Sequence, residues 1–222
     1  MPTSDTELTT LVCSASAQAT LPAALSVLRR GGIVVFPTDT VYGLGCDLWQ
    51  PGAVERLFWA KQRPSHLAIP VLVSGPGHVN QVATDLPASF HVLVGRLWPG
   101  GLTLIVPRRH SVPDVLCAGG PTIAVRMPNH PFALRLIGEM GGALAVTSAN
   151  LSGHPAPRTA AEALNDLDGR VPLAVDGGEC PGGVASSVVD LVADPPVLLR
   201  QGSTCLTTLC DLLPDLVVPD SG

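Results

Sequence analysis

Residues 31–45 read GGIVVFPTDTVYGLG, and this stretch decides the fold class. Ile33, Val34, Val35 and Phe36 form a short, wholly apolar run between two glycines and Pro37. β-Branched residues in a run of that length predict a strand buried on both faces. The run ends in Thr38, Asp39, Thr40, Tyr42 and two permissive glycines, Gly43 and Gly45. A buried strand thus delivers hydroxyls and a carboxylate to the edge of a sheet. In open α/β sheets that edge, beyond the carboxyl ends of the strands, is where ligands bind. Taken alone, the same residues also describe an ordinary polar turn after a core strand.

The pattern repeats outward from there. Upstream, Thr20 reads as an N-cap with an early helical Pro22, and Leu21, Leu25 and Leu28 make one apolar stripe that stops at Gly31. An edge strand is expected near residues 11–13. Downstream, Pro51 opens a helix that runs into Lys61-Gln62-Arg63-Pro64, where proline turns the chain. Further strands are expected at 69–73, 102–106, 122–126, 143–146, 173–175, 188–192 and 197–199. Helices are expected at 76–82, 87–97, 130–140, 160–167 and 204–213. Strands and helices alternate without a repeat or a low-complexity linker, so the fold class is α/β. The architecture is a single-domain mixed sheet flanked by helices.

Several of these elements end in polar groups. Arg126 closes an otherwise apolar strand, so its partner is either a structural carboxylate or an anionic ligand. Strand 143–146 opens into Thr147-Ser148-Ala149-Asn150. Lys61 and Arg63 sit at a helix C-terminus, which suits the macrodipole and equally suits an anion clamp. Lys61 is the only lysine in the chain beside twelve arginines, and chance survival on a solvated helix face is the plain explanation. Together with Thr40, Thr122, Ser186 and Arg200, these groups make a neutral-to-cationic pocket that fits a polyanion.

Composition sets the limits. The 222 residues are 46% hydrophobic and 14% charged, which supplies a large core and excludes a disordered chain. A net charge of −5 argues against a protein that coats nucleic acid, while leaving room for a local basic pocket. No apolar run reaches membrane-span length, and the N-terminus lacks a basic region followed by an apolar one. A cytoplasmic protein without a membrane partner is expected. Its six cysteines are expected to be reduced, small core residues, and no protein-built metal site is expected. The chain carries no Walker-A motif, no dinucleotide fingerprint and no nucleophile elbow.

FPTDTVYGLG, the Lys61–Pro64 segment, TIAVRMPNHP, TSANLSG, DGG and SSVVDL followed by LLRQG occur in this order. Together they resemble the YrdC-like family, the threonylcarbamoyl-AMP synthases. The resemblance implies a twisted sheet with a large concave cavity. It implies an enzyme that joins L-threonine, bicarbonate and ATP into threonylcarbamoyl-adenylate with release of pyrophosphate. The product would serve threonylcarbamoyl-adenosine modification of tRNA. Downstream threonylcarbamoyl-transferase proteins complete that transfer, and a direct tRNA contact belongs to the same picture. Mg²⁺ would be held mainly by the ATP phosphates.

By position, the resemblance implies that Lys61 and Arg63 are catalytic and bind the phosphates. Thr40, Arg126, Ser148 and Ser186 take threonine, while Thr122, Asn150, Arg158 and Arg200 take the nucleotide. Arg158 stands where threonine is usual. Leu67, with His66 beside it, replaces a polar residue that often helps bind ATP, and Leu72 replaces a histidine of some members. The catalytic domain is expected over 20–203, with an N-terminal segment 1–19 and a C-terminal helix and tail 204–222. At this length no extra C-terminal domain is expected. Two alternatives are a non-catalytic RNA-binding factor and a carbamoyl-adenylate-forming paralogue that uses carbamoyl phosphate.

Overall fold

The computed structural model describes residues 9–219, so the N-terminal stretch 1–8, read for a targeting signal, lies outside the described residues. The described residues form ten strands: β1 (Leu11–Ser14), β2 (Ile33–Phe36), β3 (Gly43–Cys46), β4 (Val71–Val73), β5 (Leu102–Pro107), β6 (Thr122–Arg126), β7 (Ala143–Ser148), β8 (Leu173–Asp176), β9 (Ser187–Asp190) and β10 (Val197–Arg200). They form one mixed sheet in the order β1-β8-β2-β3-β7-β4-β6-β5-β9-β10. The helices are α1 (Thr20–Arg29), α2 (Pro51–Lys61), α3 (Ala88–Leu97), α4 (Pro131–Glu139), α5 (Ala160–Leu167) and α6 (Leu206–Leu212).

Alternation along the strands sorts the core into two layers. Ile33, Val35, Leu44, Val71, Leu104 and Val125 face one side, where they meet Leu57 of α2, Leu93 of α3, Ala163 of α5 and Leu209 of α6. Val34, Phe36, Leu72, Leu144 and Val146 face the other side, against Leu25 and Leu28 of α1 and Leu136 and Ile137 of α4. Helix α1 packs on β2, β8 and α4, while α4 packs on β4 and β7. These two helices roof the β8-to-β4 part of the second face. The part from β4 to β10 lies beyond them and becomes the floor of a cavity.

Strand β2 is where it was expected, and all four of its residues are buried. The segment after it departs from the expected polar turn. Gly43–Cys46 is a fully buried strand, β3, which closes a hairpin on β2 and pairs antiparallel with β7. Two glycines in four residues hid it, because glycine is depleted in strands. Here they serve close packing: a Cβ at Gly45 would stand 2.8 Å from Phe36 Cε1.

Thr20 is not the N-cap of α1; Ala19 is, and the Thr20 hydroxyl instead donates to the Ser14 carbonyl at 2.6 Å. The 76–82 helix is the 3-10 helix Pro76–Gln81. Cys46, Cys117 and Cys180 are buried, but Cys205 and Cys210 are exposed. β1 joins the main sheet beside β8, and α6 packs on the main core, so the sheet and core continue on both sides of the 20–203 span. Among the described residues no helix is long and apolar enough to cross a membrane.

Candidate active site

The floor of the cavity is a register row. Leu72 of β4 pairs with Arg126 of β6, and the β5–β6 ladder sets Thr103 beside Arg126. Thr103 pairs with Val188 of β9, and Val188 pairs with Arg200 of β10. Paired residues share a face, and all five line one cavity of about 340 Å³. Pro70, Ala124 and Val146 add a second row. One side wall is the Thr38–Gly43 turn, which runs from Arg126, bonded to Thr40, to Ser148 at the end of β7, paired with Gly43.

β6 and β7 run in opposite directions, since each pairs with β4, one parallel and one antiparallel. Arg126 and Ser148 therefore end their strands at opposite edges. The register row passes through Leu144 on β7, and Ser148 lies four residues farther along, about 13 Å. The site is a trough across a sheet face rather than a crest beyond the carboxyl ends of strands, which corrects the edge-of-sheet expectation.

Arg126 is 6% exposed, and its partner is a carboxylate of the chain itself. Its Nη2 donates to Asp39 Oδ1 at 2.5 Å, its Nη1 to Thr40 Oγ1 at 2.8 Å and its Nε to the Gly100 carbonyl at 2.9 Å. Burial pushes its pKa down, and Asp39 opposes that shift. Each Nη keeps one N–H for a ligand. Beside it, Thr103 Oγ1 and Ser186 Oγ lie 2.8 Å apart, and Arg200 donates to the Ser186 carbonyl at 2.9 Å and to its hydroxyl at 3.2 Å. Thr38 Oγ1 receives the N–H groups of Thr40 and Val41 and donates to the Val41 carbonyl at 2.6 Å, which locks the turn that carries Thr40. Tyr42 is fully buried and its hydroxyl donates to the Gly178 carbonyl at 2.7 Å; burial pushes it up to about 12, so it shapes the wall as a neutral phenol.

At the other end, α2 stops at Lys61 because Gln62 takes a left-handed φ of 49°, and the Arg63 N–H donates back to the Phe58 carbonyl at 3.0 Å. Lys61 is 1% exposed, so it does not lie on a solvated face. Its Nζ donates to the carbonyls of Ser148 and Asn150, each at 2.5 Å, and reaches Asn150 Oδ1 at 3.4 Å. Burial and the Arg63 guanidinium push it down to about 7, against the pull of Asp166. Arg63 lines the cavity, its Nε tied to the Leu67 carbonyl at 3.2 Å and its Nη2 to the Ala68 carbonyl at 2.7 Å.

Of the ten residues singled out in the sequence, Thr40, Arg63, Arg126, Ser148, Asn150, Ser186 and Arg200 line the cavity together. Lys61 lies beneath it, under the Ser148–Asn150 backbone. Thr122 starts β6 and is not among the lining residues. Arg158 is turned to an ion pair with Glu179 at 2.7 Å and is also outside the lining. His66 and Leu67 are exposed and outside it too, whereas Leu72 is on the floor. Thr147, part of the polar end of β7 read from the sequence, also lines it, as do Thr103 and His154, which were not singled out there. Thr103 was hidden in a strand because threonine is an ordinary strand former. His154 directly follows TSANLSG, which was the available signal.

The lining includes three arginines and no aspartate or glutamate, although the chain is acidic overall. Such a trough selects anions. Among the described residues, no group of three or more histidine, cysteine, aspartate or glutamate side chains is placed to hold a metal ion.

Residues 26–202 match the Sua5/YciO/YrdC family model, described as telomere recombination. A threonylcarbamoyl-AMP synthase of Pyrococcus abyssi is 42% identical over 179 residues, 81% of this chain and 53% of that protein. One of Pseudoalteromonas translucida is 36% identical over 163 residues, 72% of this chain and 87% of that protein. The crystal structure of P. abyssi Sua5 complexed with L-threonine superposes with a TM-score of 0.92 at 36% identity, covering 95% of this chain and 63% of that one. The chain spans about half the length of the first curated relatives it matches. Six motifs in order, the ten-stranded sheet with its trough and a family match over most of the length agree, and the chain belongs to the Sua5/YciO/YrdC family.

Proposed function

We propose that this chain joins L-threonine, bicarbonate and ATP into threonylcarbamoyl-adenylate and pyrophosphate. The observation that carries the proposal is the trough, which combines two separated arginine-bearing ends with a lining free of carboxylates. Arg126, with Thr40 and Ser186 beside it, presents two free N–H groups to the carboxylate of threonine. Arg63, with Asn150, faces the phosphates. Ser148, which the resemblance assigns to threonine, ends β7 away from the Arg126 row and is assigned here to the phosphate end instead. Arg200, held to Ser186 at the Arg126 end, would meet the nucleotide where it reaches across the trough. Lys61 acts as a positioning residue: it pins the Ser148 and Asn150 carbonyls and sets the Asn150 side chain. Thr122, two residues before the lining residue Ala124 on β6, and Arg158 would take part in nucleotide binding from the margin of the trough.

The reaction needs no protein nucleophile. The threonine ammonium first gives up a proton, and the free amine then adds to the carbon of bicarbonate with loss of water, leaving the carbamate. A carboxylate oxygen of the resulting carbamate then displaces pyrophosphate from the α-phosphorus. Positioning and charge stabilisation are what the residues supply. The trough offers hydroxyl and amide oxygens but no carboxylate, so Mg²⁺ enters on the phosphates of ATP as part of the substrate. The product would pass to a transferase that acts on adenosine in tRNA, in a cytoplasmic setting.

The test is incubation with radiolabelled bicarbonate, threonine, ATP and Mg²⁺. Threonine-dependent pyrophosphate release with a labelled adenylate is the expected outcome. Activity only when carbamoyl phosphate replaces threonine and bicarbonate would assign the chain to a carbamoyl-adenylate chemistry. Salt-dependent RNA binding with no ATP binding would instead make it an RNA-binding factor.

A further inference from the structure

His154 lines the phosphate-facing end of the trough and has a dedicated partner. Its Nδ1 lies 2.9 and 3.1 Å from the two carboxylate oxygens of Asp166 on α5. Asp166 also accepts the Leu151 N–H at 2.9 Å, and Asn150 Nδ2 donates to the His154 carbonyl at 2.7 Å. The ring is thus held through its own backbone and through a carboxylate that is only 18% exposed. Burial pushes the Asp166 carboxyl up, but the Leu151 N–H, His154 and Lys61 outweigh it and hold it below the usual carboxylate range.

An ionised carboxylate only accepts hydrogen bonds, so Nδ1 carries the proton that joins the pair. The neutral ring then presents a lone pair at Nε2, which a phosphate oxygen repels. The doubly protonated ring presents an N–H there instead, and histidine is the side-chain type that changes between these forms around neutrality. The other ionisable groups at this end are Lys61 at the end of α2, pushed down to about 7 by burial, and the Arg63 guanidinium just after it.

We propose that His154 is a phosphate ligand that works only as the imidazolium, so that anion binding at this end of the trough takes up a proton. Asp166 is its positioning residue: it fixes the tautomer and turns Nε2 toward the ligand. The proposal rests on the assignment of the Arg63 end to the phosphates under the proposed function.

Calorimetric titration of the whole chain with inorganic pyrophosphate, in buffers of different ionisation enthalpy, reads the protons taken up on binding. Pyrophosphate contributes its own protonation to wild type and variant alike. Because Lys61 and His154 both act on Asp166, the same comparison in a Lys61→Met background removes the lysine's share, so the difference isolates His154. The wild type is expected to take up more protons than His154→Gln. The variant should bind about tenfold more weakly at pH 6, the loss of one charge-assisted hydrogen bond, and converge with wild type at high pH. His154→Arg should bind tightly without the extra uptake, which separates lost charge from a disturbed loop. Equal uptake and equal affinity in wild type and His154→Gln would overturn the proposal. Absence of pyrophosphate binding by the wild type would overturn the phosphate assignment, and this inference with it.

Discussion

Arg126 and Lys61 are both cations that the fold has committed before any ligand arrives. Arg126 and Asp39 are 7% and 14% exposed at their side chains, so removing one strands the other in the interior. Arg126→Ala is therefore expected to cost about 3 kcal/mol of stability, read as a lower urea midpoint, in addition to abolishing turnover. Arg126→Gln combined with Asp39→Asn should recover part of that stability but none of the activity. Arg126→Lys should keep the fold and lose threonine affinity, because a lysine cannot offer paired N–H groups to a carboxylate.

Lys61 makes a prediction with a definite sign. Its pKa falls from 10.5 in the unfolded chain to about 7 in the folded one. Between those values the unfolded state binds more protons, so stability rises with pH, at up to about 1.4 kcal/mol per pH unit. Lys61→Met, which fills the same volume without the charge, should lack that rise. Unfolding free energies of both proteins from pH 7 to 8.5 check it; thiol ionisation, including that of exposed Cys205, which hydrogen bonds from Thr207 and Thr208 hold down to about 7, is common to the two proteins and cancels in their difference. A parallel pH dependence in the two proteins would show that Lys61 stays charged on its three oxygen acceptors.

At the scale of elements, the strap formed by β9 and β10 carries half of the arginine-bearing floor. It is tied down at Gly202, whose N–H donates to Ser187 Oγ at 3.0 Å. A Cβ at Gly202 would stand 2.3 Å from the Ala185 carbonyl oxygen, and backbone cannot yield there. Gly202→Ala should displace Ser186 and Arg200, raising amide exchange in β9 and β10 and weakening ATP binding while β2 and β7 stay protected. Much of this level was legible in the chain. The apolar runs at Ile33–Phe36 and Ile123–Val125 signal buried strands by composition alone, and Pro64 signals that the helix ends nearby, although the left-handed Gln62 sets its last residue at Lys61. β3 was not legible, because its glycines were chosen by Phe36 and Val146 across the sheet rather than by local preference. The Arg126–Asp39 pair joins residues far apart in sequence, and only the register that places Thr40 over β6 reveals it.

For the whole molecule, the composition described the surface and the topology decided the site. A chain with net charge −5 builds a cationic trough by gathering Arg63, Arg126 and Arg200 from three separate elements onto one sheet face. The roof of α1 and α4 ends at β4, so the rest of that face stays open for ligand. The resemblance in the sequence named seven of the lining residues, and the structure explains why Thr122 and Arg158 are apart from them. Thr122 opens a strand whose other end, at Arg126, reaches the floor, and Arg158 is occupied by Glu179. A crystal structure grown with L-threonine, bicarbonate and Mg-ATP is the most direct test. The expected result is an adenylate in the trough, its threonine carboxylate on Arg126 and its phosphate between Arg63 and Asn150. An empty trough, or a nucleotide bound elsewhere on the chain, would contradict it.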